Sequence, residues 1–139
     1  NIIVDTLNKF DKKYAVKFEY VIEDKPLGTG GALLNAFDLL DDKFFFIHGD
    51  LLVDTDLSLI KKAVDQSQND FALLVHPTNH ITDSDLVKIN HQDIIVEFIA
   101  KPHPHILRTR NLGNVGIYAF NKYIFTTASS SAPAYLILS

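Results

Sequence analysis

The fold of this chain is decided by the stretch FFFIHGD at residues 44–50. Its first four residues are apolar without interruption, which is typical of a strand buried on both faces of a parallel sheet. A glycine and an aspartate end the strand, so we expect the Asp50 carboxylate to project into a cleft, where it could bind a hard cation such as Mg²⁺. The alternative is an aspartate that serves an ordinary turn.

Apolar patterns on both sides of this stretch predict an α/β fold. Helical spacing predicts helices near residues 3–10, 33–40 and 57–64. Strands are predicted at residues 16–22, 44–48, 71–75, 86–89, 94–99 and 115–120, the fourth and fifth forming a hairpin. This order of elements indicates a Rossmann-like, mostly parallel sheet with flanking helices and a small β-hairpin, in which ligands gather at the carboxyl ends of strands.

The composition excludes several classes of protein. The 139 residues, 47% of them hydrophobic, suffice for one core and are too few for two ordinary domains. Thirteen Lys and Arg against seventeen Asp and Glu give a net charge of −4, which argues against a nucleic-acid partner. Cysteine is absent, which excludes disulfides and thiol nucleophiles. With no apolar run of about 20 residues and no secretory pattern, we expect a soluble cytoplasmic protein without a membrane partner.

A glycine-rich loop, PLGTGG at residues 26–31, is predicted to open the second helix. Glycine lets backbone N–H groups approach a ligand closely, and a helix N-terminus favours an anion nearby. A tight turn between strand and helix explains the glycines equally well. The spacing matches neither the dinucleotide-binding nor the P-loop pattern.

Two further positions could contact a ligand. Lys101 ends the second hairpin strand and precedes Pro102, where an ammonium group could neutralise a phosphate, although a solvated lysine is commoner in loops. Asn114 and Gly116 open the next strand, and the asparagine could offer its amide to a hydroxylated ligand or cap a bulge.

Six histidines invite a zinc hypothesis, which the sequence does not favour. Two pairs have suggestive spacing, His76 with His80 and His103 with His105. Pro77 prevents the helical i,i+4 geometry for the first pair, and Pro104 separates the two histidines of the second. The position of these histidines in loops explains them adequately.

Four motifs taken in order resemble the sugar-phosphate nucleotidyltransferase family, whose members join a nucleoside triphosphate to a sugar 1-phosphate. The likeness covers about residues 1–126. The family's base-binding loop, metal-bearing strand end, phosphate-contacting pair and sugar-side strand correspond to EDKPLGTGGAL at 23–33, FIHGD at 46–50, Lys101-Pro102 and NVGIY at 114–118. The segments HPTNH at 76–80, DSDLV at 83–87 and AKPHP at 100–104 are most similar to guanylyltransferases of D-glycero-D-manno-heptose 1-phosphate.

The resemblance implies the nucleotide-diphospho-sugar transferase fold and an in-line displacement. An oxygen of the sugar 1-phosphate attacks the α-phosphorus of GTP, and pyrophosphate leaves. Asp50 and Lys101 would be catalytic, with Asp50 holding Mg²⁺ and Lys101 neutralising the sugar phosphate. The remaining implied contacts are Leu27, Gly28, Thr29 and Gly30 with the nucleotide, and Asn114 and Gly116 with the sugar. Whether the protein forms homo-oligomers stays open.

Departures from the family pattern predict an incomplete domain. The family's first strand with its Gly-rich, Arg- and Lys-containing loop has no counterpart here, nor has its second metal-binding Asp, and Ala100 stands where many relatives carry a Glu. We therefore expect residues 1–126 to be part of a nucleotidyltransferase domain, the uncharged tail 127–139 not to be native-like, and the chain alone to be an inactive fragment or truncated gene product. Residues 44–47 would then form an apolar sheet edge without a partner strand.

Two other functions remain open. One is a non-catalytic relative that binds nucleotide sugars or has a regulatory role. The other is a metal-dependent glycosyltransferase that uses Asp54 and Asp56, although either residue could instead cap the helix that follows.

Overall fold

The computed structural model describes residues 2–65, 70–103, 111–126 and, as backbone, 135–138. The chain divides into two compact units, Asn1–Leu40 and Asp41–Ser139. The elements that carry the sequence motifs are therefore described unit by unit.

The first unit is helical. It contains α1 (Ile2–Tyr14), α2 (Gly28–Asn35) and a 3₁₀ turn at Phe37–Leu39. The helical spacing that predicted α1 is confirmed, and the rings of Phe10 and Tyr14, four residues apart, stack with centroids 5.8 Å apart. None of the helices in the described residues has the length and apolar character that a bilayer crossing requires.

The strand predicted at residues 16–22 is wrong. The segment between α1 and α2 has no regular secondary structure, and Val21 and Ile22 are exposed. Tyr20 donates a hydrogen bond from its hydroxyl to Asn8 Oδ1 at 2.9 Å, which ties the segment to α1. Alternating side chains make a strand only where a second strand completes the hydrogen-bond ladder, and no described strand pairs with this segment.

The second unit is built on a sheet that has six strands among the described residues. Its elements are β1 (Lys43–Ile47), α3 (Leu57–Asp65), β2 (Phe71–Pro77), β3 (Leu86–Ile89), β4 (Ile95–Ile99), β5 (Leu112–Asn121) and β6 (Tyr135–Leu138). The strand order is β4-β3-β5-β2-β6, and β1 pairs with β5 beside this path. The predicted hairpin is confirmed as the antiparallel pair β3 and β4.

The predicted α/β class is confirmed, but the sheet is mixed rather than mostly parallel. Only β2 and β6 pair in parallel among the described strands. The strand β5 lies at the centre and runs opposite to β1, β2 and β3, all three of which pair with it. Because β5 separates β1 from β2, these two strands share a direction without sharing hydrogen bonds.

The expectation that β1 is buried on both faces is wrong. Phe44 and Phe46 are half-buried, whereas Phe45 and Ile47 are 39% and 40% exposed. Among the described residues, β1 pairs along one edge only, with β5. The apolar run predicted burial on both faces, and the exposure follows because the described elements do not fully cover the face to which Phe45 and Ile47 point.

Two hydrophobic clusters lie on opposite faces of the sheet. One packs beneath α3 and comprises Ile60, Val64, Ala72, Leu74, Ile117 and Ala119. The other comprises Leu73, Val75, Val87 and Leu112. Successive residues of a strand alternate between faces, so β5 directs Ile117 towards α3 and Asn114 and Tyr118 towards the opposite face.

Candidate functional site

The candidate site lies at a split along one edge of β5. On this edge β1 pairs with the second half of β5 and β3 with its beginning, so that Ile47 lies opposite Ile117 and Leu86 opposite Gly113. The other edge of β5 is taken by β2, which pairs with both halves. Three residues of β5, from Asn114 to Gly116, therefore lie between the end of β1 and the start of β3. We call this region the β5 split.

The chain leaves the sheet after His48, because the segment that leads into β3 occupies the next positions along the same edge of β5. The N–H of His48 donates to the carbonyl of Gly116 at 3.1 Å, and the carbonyl of Asp85 accepts from the N–H of Asn114 at 2.9 Å. These two contacts are two residues apart along β5, or about 7 Å. The chain after β1 therefore turns out of the sheet at Gly49, and the next residue, Asp50, is exposed beside the split.

Lys101 is hydrogen-bonded to Asp83 and Asp85, which precede β3 on the far side of the β5 split from β1. Its backbone N–H donates to Asp85 Oδ1 at 3.0 Å, and its ammonium Nζ donates to the carbonyl of Asp83 at 2.9 Å. The peptide bond to Pro102 is cis. The ammonium lies 3.6 Å from the Asp83 carboxylate, with both side chains largely exposed, and such ion pairs are weak. An anionic ligand can therefore replace the Asp83 carboxylate beside the Lys101 ammonium.

Asn114 and Gly116 shape a bulge in β5. The register between β2 and β5 shifts here, and Gly116 has a φ of +84°, which favours glycine. The N–H of Gly116 donates to Asn114 Oδ1 at 2.9 Å, and Asn114 Nδ2 donates to the hydroxyl of Tyr118 at 2.6 Å. The bulge-capping role weighed from the sequence is therefore present, and one amide hydrogen of Asn114 remains for a ligand.

His48 is a residue of the site that sequence analysis missed. A Cβ added to Gly116 would lie 2.9 Å from His48 Nδ1, so the imidazole covers the bulge closely. The ring lies against Phe46 and Tyr118, with centroids 5.6 Å and 6.1 Å away, and its Nε2 is buried without a hydrogen-bond partner among the described residues. No local signal could have revealed this role, because it depends on the register between β1 and β5.

The glycine-rich loop belongs to the first unit. Leu27, Gly28, Thr29 and Gly30 are exposed and begin α2, with Gly28 at a φ of +73°. The cap residue Leu27 makes no capping side-chain hydrogen bond in the described structure, whereas Glu23 Oε2 accepts from the N–H of Leu27 at 3.1 Å and closes the turn before α2. The first N–H groups of α2 therefore have no side-chain acceptor from the cap residue. That this loop meets Asp50 and Lys101 in one pocket stays a prediction.

Asp56 caps α3, as one of the two sequence interpretations held. Its Oδ1 accepts from the N–H of Ser58 at 2.9 Å, and this hydrogen bond holds the pKa of Asp56 below its usual value. Asp54 lies in the loop of residues 51–55, which borders an open cavity of about 320 Å³ with Leu74, Val115 and Ile117. This cavity lies on the α3 face of the sheet.

The donor groups of the site fit magnesium better than zinc. Among the residues that the structure describes, no three His, Cys, Asp or Glu side chains cluster as metal ligands. His103 Nε2 lies 2.9 Å from the carbonyl of Ser84, and its zinc partner in the sequence hypothesis, His105, lies outside the described residues. Mg²⁺ needs only one or two carboxylates when phosphates and water supply the rest, so the exposed Asp50 suits it.

The described residues form a mixed sheet whose central strand, β5, carries Asn114 and hydrogen-bonds to the segments that bear Asp50 and Lys101. Residues 2–135 match the family model described as nucleotidyl transferase. The chain therefore belongs to the nucleotidyl transferase family, and the resemblance found in the sequence is confirmed at the family level.

The curated relatives include the D-glycero-alpha-D-manno-heptose 1-phosphate guanylyltransferase of Campylobacter jejuni. It is 30% identical over 115 residues, which are 83% of this chain and 48% of the relative. The chain thus spans about half the length of this relative.

Solved structures share the fold. HddC from Yersinia pseudotuberculosis superimposes with a TM-score of 0.76 at 22% identity, over 99% of this chain and 64% of that protein. The same protein complexed with GMP-PN gives a TM-score of 0.73 at 20% identity, over 99% and 64% of the two chains. These matches confirm the predicted fold class.

Proposed function

We propose that this chain carries the β5 split of a sugar-1-phosphate nucleotidyltransferase, which transfers a nucleoside monophosphate to a sugar 1-phosphate and releases pyrophosphate. The nucleotide that we propose is GTP, and the acceptor is heptose 1-phosphate. The observation that carries the proposal is that His48, two residues before Asp50, and Asp85, which binds the Lys101 N–H, both hydrogen-bond to the Asn114–Gly116 stretch of β5. Both substrates are supported by the likeness to the Campylobacter jejuni guanylyltransferase.

The reaction needs positioning and charge neutralisation more than covalent chemistry. An oxygen of the sugar 1-phosphate attacks the α-phosphorus of GTP, forming one P–O bond while the bond to pyrophosphate breaks. We assign Lys101 to the sugar phosphate, because within the described part of the chain its ammonium has only a surface carboxylate and a carbonyl as partners. We assign Asp50 to Mg²⁺, which when bound would neutralise phosphate charge. Both assignments use the exposure of these side chains beside the β5 split.

The remaining proposed ligand contacts are described for each of the two units separately. In the first unit, Leu27, Gly28, Thr29 and Gly30 would bind the nucleotide through backbone groups of the turn and the first turn of α2. In the second unit, Asn114 would face the sugar, and Gly116 would hold the Asn114 side chain through its N–H. The neighbouring structure that is complexed with GMP-PN supports nucleotide binding on this fold.

Nucleotide binding tests the assignment of Asp50. Isothermal titration of the chain with GTP should give binding that Mg²⁺ strengthens, and Asp50→Asn should weaken the Mg²⁺-dependent part about tenfold, since the neutral amide is a poor ligand for a hard cation. Asp54→Asn is the matched control, because it removes an exposed carboxylate from the adjacent loop. If Asp54→Asn weakens binding more than Asp50→Asn, the glycosyltransferase alternative is favoured and our assignment is wrong.

Competition and turnover test the rest of the proposal. GTP should displace a fluorescent guanine nucleotide more effectively than UTP, CTP or dTTP, and an equal effect of all four would contradict guanine selectivity. We further propose that these 139 residues alone do not complete the transfer. Robust release of pyrophosphate from GTP by the purified chain, dependent on Mg²⁺ and heptose 1-phosphate, would refute that part.

A further inference from the structure

A short chain of hydrogen bonds fixes how the Asn114 amide is turned. The N–H of Gly116 lies 2.9 Å from one terminal atom of this side chain, and Nδ2 lies 2.6 Å from the Tyr118 hydroxyl oxygen. A backbone N–H can only donate, so the atom facing Gly116 must be the acceptor Oδ1. The amide nitrogen therefore faces Tyr118, and the phenol oxygen is the acceptor.

This arrangement decides what Asn114 can offer to a ligand. Its oxygen is engaged by Gly116, and one of its two N–H groups is engaged by Tyr118. The N–H that remains is the second one of Nδ2, and Oδ1 keeps one further lone pair. Asn114 can consequently recognise an oxygen that accepts a hydrogen bond, such as a hydroxyl oxygen of a sugar ring.

Tyr118 is itself held firmly. Its ring stacks on Phe120 with centroids 5.8 Å apart and lies 5.7 Å from Phe46 and 6.1 Å from His48. A phenol packed among three rings has little rotational freedom, so the hydroxyl is a fixed acceptor. Without it, the Asn114 N–H that donates to Tyr118 would lose its acceptor, and only the hydrogen bond from Gly116 would hold the amide plane.

We infer that Tyr118 is a positioning residue for sugar recognition: by accepting from Asn114 Nδ2, it presents the remaining amide N–H to an acceptor oxygen of the sugar 1-phosphate. This inference rests on the proposed function. It adds a residue that the sequence motif left without a role, and it assigns a hydrogen-bond polarity to Asn114.

Tyr118→Phe tests the inference, because it keeps the ring and removes the acceptor. In ¹⁵N–¹H spectra of the full chain, the Asn114 side-chain signals should move without any ligand present. The Kd for D-glycero-D-manno-heptose 1-phosphate should rise about fivefold, which is the loss expected for one ordinary hydrogen bond. The Kd for GTP should stay unchanged. Tyr20→Phe is the matched control, since it removes a Tyr–Asn hydrogen bond within the first unit and should alter neither the Asn114 signals nor the sugar Kd.

A second variant keeps the test decisive if Tyr118→Phe unfolds the chain. Asn114→Asp retains an acceptor for Gly116 and replaces the outward donor by an oxygen, so sugar binding should weaken more than tenfold with the fold kept. Unchanged sugar affinity in whichever variant folds would overturn the inference. Absence of sugar 1-phosphate binding by the unmodified chain would instead overturn the proposed function, and the inference with it. A third outcome is that Asn114→Asp loses sugar binding while a folded Tyr118→Phe binds the sugar as tightly as the unmodified chain. That outcome would keep the proposed contact between Asn114 and the sugar and would overturn the positioning role of Tyr118.

Discussion

Replacing Gly116 by alanine probes the contact that shapes the β5 split. Gly116 has a φ of +84°, where a side chain costs about 1–2 kcal/mol. The new Cβ would lie 2.9 Å from Nδ1 and 3.0 Å from Cγ of His48, closer than unstrained atoms approach. The imidazole has little room to withdraw, because its Nε2 is buried and the ring lies against Phe46 and Tyr118. With about 1–2 kcal/mol more for this overpacking, we expect a total loss of about 3 kcal/mol in the free energy of unfolding.

Urea unfolding, followed by circular dichroism, measures this loss. Gly49→Ala is the matched control in the same unit, since its Cβ would meet nothing within 4 Å and its φ is not positive. It should change the free energy of unfolding by less than about 0.5 kcal/mol. The double variant His48→Ala/Gly116→Ala should be about 1–2 kcal/mol more stable than the sum of the two single losses predicts, because the overlap disappears while the backbone strain remains.

Two results would refute this reasoning. A Gly116→Ala variant as stable as Gly49→Ala would mean that neither the strain nor the overlap is real. Additive effects of His48→Ala and Gly116→Ala would show that the imidazole does not press on the bulge, and the account of how the β5 split is shaped would fail.

Two further substitutions test the cap of α3 and the attachment of Lys101. Asp56→Ala should lower the Tm by roughly 2–5 °C at neutral pH, because the Ser58 N–H loses its acceptor at the start of α3. The same hydrogen bond lowers the pKa of Asp56 from 3.8, so its stabilisation is complete above that pH and is lost as the pH falls through the lower folded-state pKa. The Tm difference between the two proteins should therefore close in acid, and a difference that persists there would contradict the assigned cause. Asp85→Ala should raise the Kd for heptose 1-phosphate about fivefold, because the backbone N–H of Lys101 loses its acceptor. Asp83→Ala removes only an exposed carboxylate 3.6 Å from the ammonium and should leave that Kd unchanged; equal effects of the two variants would show that the Asp85 contact does not position Lys101.

Local patterns in the sequence determined most elements of the fold. The helical spacing of α1 and α3 and the hairpin of β3 and β4 were predicted correctly, because each is formed by residues close together in the chain. The cap at Asp56 is equally local, since it involves a backbone N–H two residues later. Four motifs were enough to indicate the family, which the family model confirms.

Patterns that need a distant partner misled the sequence analysis. Residues 16–22 alternate as a strand does, yet they form none, since no described strand supplies the second half of a ladder. The apolar run of β1 predicted burial that elements packed on both faces of the sheet would have to provide, and Phe45 and Ile47 remain exposed. The direction of β5 against β1 and β2 was also invisible to periodicity, which is the same for parallel and antiparallel strands.

The sequence by itself determined which residue types could bind phosphate, a cation and a hydroxyl group: Lys101, Asp50 and Asn114. The tertiary structure alone decided that β1 and β3 share one edge of β5, and that the amide of Asn114 is turned by Gly116 and Tyr118. The tertiary structure alone also decided that the His48 imidazole covers Gly116. The physical reason is that each of these contacts is set by the register between strands far apart in the chain, and register is fixed by packing across the whole sheet rather than by any local run of residues.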